Sequence, residues 1–166
     1  IIKSTEYKVE MTGYANLLDV FEATVQGGNL NFSYRGDLWV KNDNIKLKIY
    51  TPTVTKIHQS GVTKVVVGNG YDWDMLHAFL SGESHFEVTG GTANNFGVDG
   101  SGNSKIFARN LLAKSVEVFA SGNTQAEVRA TDYLYVDASG RTRVRYWGLP
   151  ISFDIRTSGE ARVIRQ

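Results

Sequence analysis

The chain has 166 residues and no cysteine, and its 18 basic and 17 acidic residues leave a formal net charge of +1 at pH 7. This near-neutral charge gives no bulk electrostatic attraction to nucleic acid or to an anionic membrane. The lack of cysteine excludes a disulfide framework and a thiolate metal site. No stretch approaches the roughly 20 apolar residues of a membrane span. The length predicts one domain, and a composition rich in glycine, valine, threonine and aromatic residues favours strands and turns.

Residues 1–55 are predicted to form N-terminal strands and a cap. These strands would start a stack of strands that the rest of the chain continues. Within them, residues 22–34 flank Gly27-Gly28, which predicts a hairpin with a two-residue turn. Residues 45–49 alternate apolar and lysine side chains, the pattern of a strand with one inward face. The chain begins with isoleucine rather than methionine, so we expect that any targeting peptide has been removed.

Two segments have mild helical character, residues 16–21 and residues 72–79. The second segment, residues 72–79, leads directly into Ser81, which belongs to one of the repeated Ser-Gly pairs of this chain. We therefore predict only a turn or a short helix at residues 72–79.

Six Ser-Gly pairs recur through the rest of the chain at intervals of 21, 20, 20, 18 and 19 residues. The serines are Ser60, Ser81, Ser101, Ser121, Ser139 and Ser158. A fixed period of this length indicates a repeat architecture. The glycine after each serine is expected to permit a backbone bend that a Cβ atom would obstruct.

The repeats share three columns of residues. The residues three positions before the serines are Ile57, Ala78, Val98, Val118, Val136 and Ile155. The residues five positions after the serines are Val65, Phe86, Ile106, Ala126, Val144 and Val163. Between them, three positions after the serines, stand Thr63, Ser84, Ser104, Thr124, Thr142 and Ala161, which we expect to stack inside a narrow interior and to hydrogen-bond one another.

Apolar or small residues at alternate positions indicate a strand, and we predict one strand in each repeat. The predicted fold is all-β, a right-handed parallel β-helix with about 20 residues per turn. It would be a single β-helical domain over residues 1–166, with six Ser-Gly rungs at 56–166. Leucine-rich and hexapeptide repeats do not fit, because neither frame is present.

Three features of the sequence resemble a known family: the segment NLLDVFEATVQGGNLNFSY at residues 16–34, the strand IYTPTVTKI at 49–57, and the Ser-Gly rungs. Together they resemble the head GIN domain family of putative auto-transporter adhesins, which is common in Bacteroidetes. The resemblance implies an all-β protein outside the cytoplasm, in the periplasm, at the outer membrane or on the cell surface. It carries over no catalytic residues. The function predicted from it is a non-enzymatic, adhesin-like module for binding or surface assembly.

The alternative is a carbohydrate-active enzyme, because polysaccharide lyases and hydrolases also use parallel β-helices. Two positions before their serines, Asp99 and Asp137 would lie two rungs apart, roughly 9.6 Å, with Phe119 between them. That separation is near the outer limit for an inverting carboxylate pair. A ladder of repeated side chains favours binding, because catalysis needs one irregular constellation, and we assign no catalytic residue.

No residue is assigned to a metal or a cofactor. His58 and His85 belong to different outward columns and His77 to a connection, so the sequence brings no histidine cluster together. Residues 69–74 hold three oxygen-bearing side chains that calcium could use, but an ordinary Asx turn explains them. The Arg-Gly-Asp sequence at residues 35–37 is interpreted as a turn.

A ligand-binding stripe is predicted four positions after the serines. The residues there are Lys64, His85, Lys105, Gln125, Arg143 and Arg162. Five of the six can be cationic, and an acidic glycan or envelope component is the predicted partner. Neighbouring glutamates could instead neutralise them. Strand alternation also places Phe79, Phe107 and Phe119 outward, which predicts cover by the protein itself or by self-association.

Overall fold

The computed structural model describes residues 1–36, 40 and 43–166 and is built almost entirely of strands. The elements before the repeats are β1 (Ile2–Lys3), β2 (Lys8–Thr12), α1 (Ala15–Leu18), β3 (Phe21–Gln26), β4 (Asn29–Tyr34) and β5 (Lys46–Thr51). Strands β3 and β4 form the predicted antiparallel hairpin. Strands β1, β5 and β2 form a separate three-stranded sheet in that order.

The rest of the chain coils into about six turns of roughly 20 residues, which confirms the predicted β-helical solenoid. Each turn contains one pair of strands, and the long strand β13 (Gln125–Ala138) is shared by two turns. The first three pairs are β6 (Lys56–Gln59) with β7 (Val62–Val67), β8 (Asp72–Leu80) with β9 (Glu83–Val88), and β10 (Thr92–Gly100) with β11 (Lys105–Phe107). The last three pairs are β12 (Leu112–Ala120) with the first part of β13, the second part of β13 with β14 (Arg143–Trp147), and β15 (Ser152–Thr157) with β16 (Arg162–Arg165).

The first strand of each pair belongs to one parallel ladder, which we call sheet 1, and the second belongs to another, sheet 2. Each turn therefore contributes two strands, and the prediction of one strand per repeat was wrong. The reason is that the Ser-Gly pair forms a corner of the backbone, although the apolar residues on its two sides alternate in the sequence as they would in one continuous strand.

Those corners stack on one another. All six glycines of the Ser-Gly pairs have φ between 68° and 74°, a region that L side chains rarely adopt. Backbone hydrogen bonds join one corner to the next, as from Ser121 N to Gly100 O (2.9 Å) and from Asn123 N to Gly102 O (2.8 Å). The corners thus continue the hydrogen-bond ladder between the two sheets.

The predicted inward columns form the core between the sheets. Val98, Val118 and Val136 are register partners, and each is at most 1% exposed. Four of the buried hydroxyls bond a corner carbonyl: Thr124 Oγ1 donates to the carbonyl of Ser121 at 2.7 Å, and the equivalent residues of three other turns do the same. The predicted bond between two hydroxyls of the column is present between Thr63 and Ser84, whose oxygens are 3.4 Å apart.

Residues 72–79 lie in strand β8, so the predicted turn or short helix was wrong. Trp73 and Leu76 are both buried, whereas the two residues between them are exposed. Because of this irregular step, the buried residues Trp73 and Leu76 are three positions apart, a spacing typical of a helix rather than of a strand. Pairing with β6 on one side and β10 on the other decides the conformation, as tertiary context does for weak local preferences.

Side chains of the second turn contact the end of β5 and the segment that follows it. The Tyr71 hydroxyl donates to Thr51 O at 3.0 Å, and Trp73 Nε1 donates to Val54 O at 2.8 Å. The two rings stack with centroids 4.8 Å apart. Burial raises the pKa of the Tyr71 phenol, as expected for a neutral donor held away from water.

Candidate functional site

The cationic column is the set of residues four positions after the serines. The structure places Lys64, His85, Lys105, Gln125, Arg143 and Arg162 in register on sheet 2, each paired with the next. Adjacent members are therefore about 4.8 Å apart along the backbone ladder. All are exposed except His85, which is half-buried.

Four glutamates lie near this column, and among the described residues two of them, Glu83 and Glu160, form no ion pair. Glu127 pairs with Arg145 at 3.3 Å and with Arg109 at 3.9 Å, and neither arginine belongs to the column. Glu87 lies 3.6 Å from Nε2 of His85. Among the described residues, Lys64, Lys105, Arg143 and Arg162 form no ion pair.

The column ends in a polar groove of about 640 Å³, which we call the arginine groove. Arg143 and Arg162 line it together with Arg141, which stands two positions after its serine. Arg141 was missed in the sequence because its column has no common chemistry: Val62, Glu83, Asn103, Asn123 and Glu160 occupy the other turns. Only the corner geometry places Arg141 beside the predicted stripe.

The opposite face, on sheet 1, carries an aromatic stack. The ring of Phe79 lies between His58, at 4.6 Å and 7° between planes, and His77, at 4.2 Å and 3°. His77 Nε2 lies 2.5 Å from Asp99 Oδ2. The placement of His77 in a connection was wrong, because His77 is in strand β8 and so shares a face with Phe79, which lies between the two histidines.

Gly97 makes this stack possible. It is the register partner of His77 on the neighbouring strand, and a Cβ there would lie 2.7 Å from Nδ1 of the His77 ring. The imidazole therefore lies over bare backbone. This is a close approach that only glycine permits at that position.

The other two outward phenylalanines have different surroundings. Phe119 is 39% exposed and lies 5.3 Å from Tyr135 between ring centroids. Phe107, on sheet 2, is half-buried beside His85. Neighbouring aromatic side chains thus supply the cover at Phe79 and Phe107, and self-association through these residues stays a prediction.

A second groove, which we call the corner groove, runs along sheet 1 beside the Ser-Gly corners and has a volume of about 570 Å³. Phe79, Asp99, Phe119 and Asp137 line one wall, in register order, and the corner serines line the other. Next to Asp137 in the ladder, Arg156 donates to Asp154 at 2.9 Å. That hydrogen bond, with a smaller contribution from the charge of Asp137, raises the pKa of Arg156.

The alternative chemistries predicted from the sequence gain no support from the geometry. Asp99 and Asp137 flank Phe119 as expected, but Asp99 is engaged by His77. In the 69–74 segment, Asp72 and Asp74 accept hydrogen bonds from Thr92 and Asn94 of the next turn. Over the described part of the chain, no three His, Cys, Asp or Glu side chains are grouped to hold a metal ion. The Arg-Gly-Asp sequence ends at residue 37, outside the described residues.

Residues 1–150 match the family described as "Putative auto-transporter adhesin, head GIN domain". The chain belongs to this head GIN domain family. The resemblance of residues 16–34, 49–57 and the rungs is thereby confirmed.

Solved structures show the same fold. A putative adhesin from Bacteroides fragilis is 21% identical with a TM-score of 0.75, covering 99% of this chain and 86% of that one. Putative adhesins from Parabacteroides merdae and Parabacteroides distasonis are 14% and 17% identical, with TM-scores of 0.53 and 0.51. They cover 99% of this head GIN chain and 86% and 87% of their own. A comparison with curated proteins gives no match.

Within residues 1–36, 40 and 43–166, the head GIN chain contains no helix of the length and apolarity that crossing a membrane requires.

Proposed function

We propose that this protein is a non-enzymatic, adhesin-like module outside the cytoplasm that holds an acidic polymer along the cationic column of sheet 2. One observation carries the proposal. Four cations of a single in-register column have no carboxylate partner among the described residues. A folded protein gains little from such an array, because Arg143 and Arg162 are adjacent rungs about 4.8 Å apart and their like charges repel each other.

The chemistry of the column suits carboxylate or sulfate groups. Arg143 and Arg162 are direct register partners, and a guanidinium can hold either anion through two parallel hydrogen bonds. Lys105 adds a point charge two rungs before Arg143. A linear polymer with regularly spaced anions would therefore contact several rungs at once, and each contact after the first would be intramolecular.

The family and the fold support the adhesin-like and extracytoplasmic parts of this proposal. The chain belongs to a family described as adhesins, and three similar solved structures, from Bacteroides fragilis, Parabacteroides merdae and Parabacteroides distasonis, are described as putative adhesins. An enzyme would need an irregular catalytic constellation in a cleft. The carboxylates that could have formed one are separated by Phe119 on the other sheet.

The test is binding of acidic glycans, a polyuronate and a sulfated polysaccharide, to the folded protein at increasing salt. We expect the parent to bind, binding to weaken as salt screens the charges, and the triple variant Lys105→Gln, Arg143→Gln, Arg162→Gln to bind about tenfold or more weakly. A matched control replaces three exposed lysines outside the column, Lys46, Lys48 and Lys114, with glutamine.

Because both triple variants remove three positive charges, a non-specific charge effect would weaken binding equally in the two. Equal losses, no loss in the column variant, or no binding by the parent to either polymer would overturn the proposal.

A further inference from the structure

The corner groove of sheet 1 has a composition that the arginine groove lacks. Among the described residues, its lining includes the carboxylates of Asp99 and Asp137 and no lysine or arginine. The arginine groove is lined by three arginines and one glutamate. The two faces of the solenoid therefore cannot prefer the same ligand, and an acidic polymer is disfavoured in the corner groove.

The part of the corner groove's wall formed by Phe79 and Asp99 is held in place before any ligand arrives. Phe79 is fixed between two imidazole rings, and His77 is in turn fixed by Asp99 at 2.5 Å. The backbone under the groove is the rigid parallel ladder of β8, β10, β12 and β13. A preformed wall of this kind lowers the ordering cost of binding.

Two of the five corner serines that line the groove already donate their hydroxyl protons within the protein. The hydroxyls of Ser81 and Ser101 donate to Gln59 O at 3.4 Å and Leu80 O at 3.3 Å, so their remaining capacity toward the groove is to accept. The carboxylates of the opposite wall only accept when ionised. A ligand in this groove is therefore favoured by donors placed against the carboxylates and by the absence of negative charge.

The apolar part of the wall adds a second requirement. Phe119 is exposed over 39% of its surface, and it stands between Asp99 and Asp137 in the ladder. Aromatic and carboxylate groups thus alternate along the groove, with like groups recurring roughly every 9.6 Å. The ligand needs apolar faces and donor-bearing edges that repeat along a line.

We propose that the corner groove binds a linear, uncharged glycan. Sugar rings present C–H groups on their faces and hydroxyl donors around their edges. In the groove, one ring packs on Phe119 and its hydroxyls donate to Asp137 and Asp99, in the usual division of a ligand site between apolar contact and a few placed polar groups. This site is separate from the cationic column and does not depend on it.

The test uses the folded protein and a panel of neutral linear oligosaccharides, hexamers of β-1,4-glucose, β-1,3-glucose and N-acetylglucosamine, followed by titration calorimetry and NMR. We expect at least one hexamer to bind. Phe119→Ala and Asp137→Asn should each weaken that binding by about fivefold or more, from the loss of an apolar contact or of charge-assisted hydrogen bonds.

Matched controls are Phe107→Ala, an aromatic on sheet 2, and Glu117→Gln, an exposed carboxylate on the same strand as Phe119 but outside the groove. Both should bind as the parent does. The triple variant of the cationic column should also keep full affinity for the neutral hexamer, which separates failure of this proposal from failure of the proposed function.

Three results would overturn the inference: no hexamer binds, binding is indifferent to Phe119 and Asp137, or a lysine oligomer binds through these residues in preference to the glycans. The last result would identify the groove as a site for basic peptides. Light scattering of Phe119→Ala beside the parent supplies a further check, since a larger mass for the parent alone would assign Phe119 to contacts between copies of the chain.

Discussion

From the second turn onward, the glycine of each Ser-Gly pair meets two separate requirements. Its φ near +70° is unfavourable for any residue with a Cβ atom, and the corner of the preceding turn leaves no room for one. At Gly102 a Cβ would lie 2.8 Å from the carbonyl oxygen of Gly82. Gly61 has the same φ of +73°, but nothing lies within 4 Å of its Cβ position. The cost of the positive φ and the cost of the close contact can therefore be measured separately.

We expect Gly61→Ala to cost about 1–2 kcal/mol in the free energy of unfolding, from the left-handed backbone alone. Gly102→Ala should cost more, because backbone atoms of two stacked corners must also move apart. Chemical denaturation of the two variants gives the difference directly. If both lose the same amount, the stacking of the corners is not tight and glycine is required for its φ only.

At the scale of the strand, the inward columns decide which residues are buried. Val118 is fully buried between Val98 and Val136, with one valine on each neighbouring strand. Val62, at the start of β7, is 82% exposed. The same substitution at these two valines compares the interior and the surface of the solenoid with no difference in chemistry.

Val118→Asp should destabilise the fold by several kcal/mol or prevent folding at neutral pH, because an unpaired carboxylate would be buried among valines or forced to take up a proton. Val62→Asp should change the melting temperature little. Thermal unfolding followed by circular dichroism measures both. A Val118→Asp variant as stable as Val62→Asp would contradict the assignment of the interior column.

The same columns explain how much could be predicted from the sequence. A repeated column of apolar residues is explained by a shared interior, so the solenoid and the register of the cationic column could be predicted. Strand β8 could not, because one irregular step gives its buried residues a helical spacing and only its neighbours impose a strand. The contact between His77 and Asp99 was hidden for the same reason, since it depends on β8 and on the missing side chain of Gly97.

At the scale of the molecule, the two ends of the stack differ. Ile57 and Ile155 occupy the same inward column in the first and sixth turns, and they are 7% and 36% exposed. Near the first turn, Val54 packs against the core and its carbonyl accepts a hydrogen bond from Trp73. Strand β15 pairs with β13, and Phe153 within it is 63% exposed. The stack is therefore better covered at its first turn than at its sixth.

Native-state amide hydrogen exchange should report this difference as a gradient. We expect amides of β15 and β16 to exchange about a hundredfold faster than those of β10 and β12, and faster than those of β6, because local opening costs least where few apolar contacts are broken. Uniform protection from the first turn to the sixth would show that the solenoid opens only as a whole.

The in-register ladder also makes the number of turns a functional quantity. Duplicating one segment of about 20 residues would add one strand to each sheet, and with it one more side chain to the cationic column and one more to the wall of the corner groove. Binding strength for a long polymer rises steeply with the number of linked contacts. Relatives of this protein could therefore gain or lose affinity, and select longer or shorter polymers, by changing their count of turns while every individual contact stays the same.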